Sequence, residues 1–101
     1  MELSDITKRN DLHNQNVEVS GIVTKLRPNW VLNINYIGLL KSGDTVIPFR
    51  GVANGQKVEG INEYYKLVVA YKNEQRITFL GKLKKGLFND NYGLKVKNIL
   101  S

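Results

Sequence analysis

Basic side chains and a handful of aromatic rings are the groups in this 101-residue chain with the most chemistry to offer: cations for an anionic partner, flat rings for stacking or for a core. Fifteen lysines and arginines stand against nine acids, a formal net charge of +6. The excess is not evenly spread. Residues 76–101 hold six bases (Arg76, Lys82, Lys84, Lys85, Lys95 and Lys97) and one acid, Asp90, whereas residues 1–75 hold nine bases and eight acids. Solubility alone does not require such concentration, so an anion-binding face is expected in the last quarter of the chain. A plainer role stays open, because lysines on exposed strands also guard a sheet against aggregation.

Catalysis finds little support in the residue types. With no cysteine there is no thiol nucleophile, disulfide or cysteine zinc site, and the single histidine, His13, rules out a histidine-rich metal site. The segment Gly81-Lys82-Leu83-Lys84-Lys85-Gly86 has the glycine spacing of a phosphate-binding P-loop. Leu87 and Phe88 follow it where that loop needs Lys and Ser/Thr. The carboxylates are scattered singly, with no evident acid/base pair or magnesium cluster. A non-enzyme without metal, cofactor or small-molecule substrate is expected. The opening Met1-Glu2-Leu3-Ser4-Asp5 lacks the basic-then-apolar order of a signal peptide, and the longest apolar runs are five residues. A cytoplasmic protein with no membrane span follows as the expectation.

The elements that must position these residues follow from periodicity. Leu3 to Leu12 predicts a short N-terminal helix capped at Ser4 or Asp5. Val17 to Leu26 alternates apolar and polar residues and predicts a strand, broken by Arg27-Pro28-Asn29. Trp30 to Leu40 predicts a second strand, with Trp30, Leu32, Ile34 and Tyr36 on one face and Asn33 and Asn35 on the other. After a turn at Ser42-Gly43-Asp44, Thr45 to Ala53 predicts a third strand. Pro48 cannot donate to a ladder, so it calls for an edge, a bulge or a one-sided position there. Asn54-Gly55 marks a further turn. Ile61 to Lys72 fits a helical stripe of Ile61, Tyr64, Tyr65, Val68 and Tyr71, although Leu67-Val68-Val69-Ala70 also suits a strand; helix is favoured for its length. Arg76 to Leu83 and Leu94 to Leu100 complete five strands, separated by a loop from Lys84 to Gly93. Gly21 and Gly81 sit alike between apolar neighbours in strands one and four, a sign of a bend or bulge where a small barrel closes.

This order of three strands, a helix and two strands, with the Val-x-Gly-x-Val pattern of strand one echoed in strand four, resembles the oligonucleotide/oligosaccharide-binding (OB) fold. Asp5-Ile6, the run Asn16-Val17-Glu18-Val19-Ser20-Gly21-Ile22-Val23 and Arg27 are similar to the opening of its anticodon-binding and single-strand-binding members. The likeness covers about residues 3–100. It departs from the anticodon modules of synthetases at the second hairpin, where Asn33-Ile34-Asn35-Tyr36 replaces an acidic, glycine-containing segment, and no acidic tail like that of bacterial single-strand-binding proteins is present.

The resemblance implies an all-β class: one domain over residues 1–101, a five-stranded Greek-key barrel with a helix between strands three and four. It also implies a binding surface on strands two and three, flanked by the loops joining strands one and two and strands four and five. There Lys25, Arg27, Arg50, Lys82, Lys84 and Lys85 would contact the phosphates of single-stranded DNA or RNA, DNA being favoured, while Phe88, Tyr92 and Trp30 stack bases. Several of these have blander alternatives. Trp30 fits the core, Phe88 an end plug and Tyr92 a cross-strand filler, while Arg50 points outward or pairs with Asp44. Size and fold analogy add an accessory role beside a replication polymerase, primase or helicase. The rival expectation is a protein-interaction module docking through Tyr64 or Tyr65, which cannot both point inward from one helix.

Overall fold

The computed structural model describes residues 13–30, 34–53, 58–85 and 92–100; of Trp30 and residues 58–60 only the backbone is described. Five strands and one helix occupy them: β1 Asn16–Trp30, β2 Ile34–Ser42, β3 Thr45–Ala53, α1 Val58–Lys72, β4 Arg76–Lys85 and β5 Tyr92–Ile99. The strands close into a barrel in the order β1-β2-β3-β5-β4, with β3 and β5 parallel and every other pairing antiparallel. The expected class, the five strands and a helix between β3 and β4 are all present. The N-terminal helix over Leu3 to Leu12, the Asn54-Gly55 turn and Phe88 lie outside the described residues.

Strict alternation builds the barrel. In β3 the side chains of Ile47, Phe49 and Ala53 face inward with Gly51, and Val46, Pro48, Arg50 and Val52 face out. The β2–β3 hairpin turns on Gly43, whose φ of 60° is the left-handed backbone that a tight two-residue loop demands. Among the described residues nineteen apolar side chains are buried, and no polar or charged one is. Phe49 lies at the centre of the aromatic packing, its ring 4.9 Å from Phe79 and 6.3 Å from Tyr36. Helix α1 closes one end by inserting Tyr64, Leu67 and Ala70, with the Tyr64 and Tyr36 rings 6.1 Å apart.

Both repeated glycines do what their pattern foretold. At Gly21, strand β1 passes from β4, its neighbour through Ile22, to β2, its neighbour from Ile22 onward. A methyl group at Gly21 would lie 2.6 Å from the Lys41 carbonyl oxygen, and one at Gly81 would strike the Lys95 carbonyl oxygen. Bulges accompany both sites, between Val23 and Lys25 in β1 and between Leu80 and Gly81 in the β4–β5 ladder.

Several boundaries differ from expectation, among them the start of β5, which is Tyr92 and not Leu94. Strand β1 does not stop at Arg27-Pro28-Asn29 but runs on to Trp30, with Pro28 opposite Tyr36. Beyond Ile22 it has β2 as its one described neighbour, so a missing N–H on the open edge breaks no ladder. Trp30 therefore ends β1 opposite Ile34 and does not begin β2. The helix starts at Val58, three residues before the predicted Ile61. Lys84 and Lys85, expected in a loop, complete β4 opposite Gly93 and Tyr92.

Candidate functional site

Register decides which side chains meet. On the outward face of β1, β2 and β3, four rows cross the strands: Ile22, Lys41, Val46; Lys25, Leu39, Pro48; Arg27, Ile37, Arg50; and Asn29, Asn35, Val52. Leu39 is half-buried and the other eleven side chains are exposed. Directly paired residues hold their Cβ atoms about 5 Å apart, so each row is a line of touching neighbours. No carboxylate occurs on any of the four. The third row continues past Arg50 to Lys95 of β5 and then to Lys82 of β4, making a belt of four cations and one isoleucine. At about 4.8 Å per strand, that belt spans roughly 19 Å around the barrel.

Three of the expected phosphate contacts, Lys25, Arg27 and Arg50, thus share one surface, whereas Lys82 stands on β4, two strands beyond Arg50 round the closed barrel. Arg50 faces outward at the β3–β5 seam, next to a lysine. Lys84 and Lys85 do not act as a pair. Consecutive strand residues point to opposite faces. The Lys84 ammonium turns back to donate to the Asn14 side-chain oxygen. Lys85 instead lies at the barrel end, its ammonium 5.8 Å from the centre of the Tyr92 ring, while its backbone N–H donates to His13 Nδ1 at 2.9 Å.

The expected stacking role of Tyr92 is overturned, since its ring is 3% exposed and fills the core beside Leu83 and Leu94. Tyr64 is likewise removed from the docking surface: it is 5% exposed and packs on Tyr36, whereas Tyr65, one residue on, is exposed. Burial raises the phenol pKa of Tyr64 above its ordinary value of 10, and it raises that of Tyr36 further, with the Glu63 charge adding to the shift. Phe88 and the Trp30 side chain lie outside the described residues. No aromatic side chain among those described stands on the outward face of β1, β2 and β3. Its surface is instead aliphatic, with Ile37 57% and Val52 61% exposed and the cations standing around them.

Sequence reasoning missed that aliphatic surface. The signal was present, because placing Ile34 and Tyr36 inward obliges Ile37 and Leu39 to point out.

A barrel of this strand order, closed by a parallel β3–β5 seam and plugged by a helix after β3, settles the architecture. The chain has the OB fold. No family model matches it, and no curated protein matches it. Among solved structures it is similar to a protein assigned as an aspartyl-tRNA synthetase from Leishmania major Friedlin, with a TM-score of 0.69 and 15% identity over 98% of this chain. It is also similar to RecG bound to a three-way DNA junction, with a TM-score of 0.63 and 13% identity over 99% of this chain. The chain spans 19% and 12% of those two proteins respectively, so the likeness is to one part of each. Among the described residues no helix of the OB barrel is long and apolar enough to cross a membrane.

Proposed function

We propose that this OB domain binds single-stranded nucleic acid, with DNA favoured, on the outward face of β1, β2 and β3. The observation that carries the reading is the row Arg27, Ile37, Arg50, in which two arginines on adjacent strands flank an exposed isoleucine on a face without a carboxylate, and which Lys95 and Lys82 continue round the barrel. Such a line suits a flexible polyanion better than a compact ligand, because phosphates recur along a strand and each cation meets one. Lys25 and Lys41 widen the positive surface on the neighbouring rows. The role is binding without catalysis, in the cytoplasm, as an accessory to a larger replication protein such as a polymerase, primase or helicase. A single domain of this size covers about 4–16 nucleotides, which suits an accessory part.

The test is a salt titration of a labelled 12-nucleotide single strand followed by fluorescence anisotropy. Affinity should fall with rising salt at a log–log slope of about −0.7 per phosphate contacted. Absence of binding in low salt, or binding indifferent to salt, rejects the reading.

A second reading, docking of a protein on α1, draws on Tyr65 and Val69. One helical turn apart, they are 58% and 49% exposed. Copurification of a partner that is lost on Tyr65→Ser would favour it.

A further inference from the structure

The proposed ligand has phosphates and bases, and the charged belt accounts for the phosphates alone. Bases need flat or apolar seats, and the aromatic side chains described in this barrel are either buried or on α1. On the outward sheet face the flat groups are the guanidiniums of Arg27 and Arg50. Both pair directly with Ile37 through the β1–β2 and β2–β3 registers, one on each side. Ile37 is 57% exposed although the fold gives its side chain nothing to cover it among the described residues. From this we infer that Ile37, held between Arg27 and Arg50, is a base-seating residue: an unpaired base lies on the isoleucine and against a guanidinium plane. The inference rests on the nucleic-acid reading above and names the group of the ligand that the centre of the site recognises.

The chemistry fits. Bases stack on guanidinium planes as well as on aromatic rings, and a guanidinium is more weakly hydrated than an ammonium, so it loses less on being covered. An aliphatic floor excludes water from the base without hydrogen-bonding its edge, which leaves the seat tolerant of sequence. Asn35, two residues along the same face of β2 and paired with Asn29, brings amide donors and acceptors within reach of the base edge. Lysine in place of either arginine would keep the charge and lose the plane.

Two probes of equal length and charge separate the seat from the belt: labelled oligothymidylate, and an abasic deoxyribose-phosphate strand. The wild-type chain should bind the thymidylate strand about fivefold more tightly, the lower end of the range for stacking one base. Ile37→Ser should abolish that preference while affinity for the abasic strand and the salt slope stay unchanged. Arg27→Lys and Arg50→Lys should reduce the preference and keep the slope, and Ile37→Trp should increase it. Equal wild-type affinity for both strands overturns the inference and leaves the nucleic-acid reading standing, as does an Ile37→Ser variant that weakens both strands alike. Failure to bind either strand in low salt overturns both. Thermal melts of each variant confirm that the barrel is intact, as expected for changes at exposed positions.

Discussion

The outward sheet face of β1, β2 and β3 and the outward face of α1 look alike by exposure. Ile37 and Val52 are 57% and 61% exposed on the first, Tyr65 and Val69 58% and 49% on the second. What separates them is the company. Around Ile37 the strand register sets two arginines, with Lys95 and Lys82 continuing the same row. Around Tyr65 the helix offers Lys66 and, one turn earlier, Ile61 and Asn62. Exposed apolar area by itself therefore says little about function. Its charge frame says which kind of partner can be held there, and on the sheet that frame suits a polyanion.

Changes to the two faces should part company most sharply under charge reversal. Arg27→Glu combined with Arg50→Glu should lower single-strand affinity at least about 100-fold, since two phosphate contacts become repulsions. Tyr65→Ser with Val69→Ser should leave it within about twofold. Anisotropy measures both, and a reversed ranking would move the site to the helix.

The buried side of the same sheet gives the next effect. Burial raises the Tyr36 pKa above its ordinary value of 10, so above pH 10 the unfolded chain loses a proton that the folded chain keeps. Stability should accordingly be unaffected below that pH and fall above it by about 1.4 kcal/mol per pH unit. Tyr36→Phe should flatten the decline in denaturant melts, while single-strand binding at neutral pH stays as it was.

Single cations should then sort themselves by direction. Arg27→Ala, Arg50→Ala and Lys25→Ala should each reduce the salt slope by about 0.7. Lys85→Ala should leave the slope unchanged and cost at most about 1 kcal/mol of stability, because its ammonium stands over the buried Tyr92 ring.

The smallest change expected is at the end of α1. There Glu74 takes a φ of 53°, with its N–H on the Tyr71 carbonyl and that of Gln75 on the Ala70 carbonyl, a Schellman ending that normally uses glycine. Glu74→Gly should raise stability by about 0.5–1 kcal/mol and leave both faces unaltered.

Period and punctuation made the fold legible. Alternation located the strands, the apolar stripe from Ile61 favoured the helix over a strand, and Gly21 and Gly81 marked the close crossings. Pro28 misled, because a breaker in sequence is harmless where a strand has one open edge, and edges are a property of topology. The site was half legible. Lys25, Arg27 and Arg50 could be named from charge, but their meeting depends on β2 lying between β1 and β3 in one register. Lys95 reaches Arg50 through a parallel pairing between strands far apart in sequence. Lys84 and Lys85 are strand neighbours sent to opposite faces, Tyr64 and Tyr65 helix neighbours about 100° apart, and composition carries no phase.

Strand β1 serves both halves of the barrel, bonded to β4 up to Ile22 and to β2 from Ile22 to Trp30. Its two allegiances differ in reach. Ile22 meets Lys41 after a short meander, whereas Asn16 meets Lys82 across most of the chain. Loop closure of the second kind is slow, so the β1–β2–β3 meander should gain order first and the barrel should close around it later, on the millisecond-to-second scale of non-local β proteins. The sheet that carries Arg27, Ile37 and Arg50 would then be assembled before the chain has made the strands that seal its back.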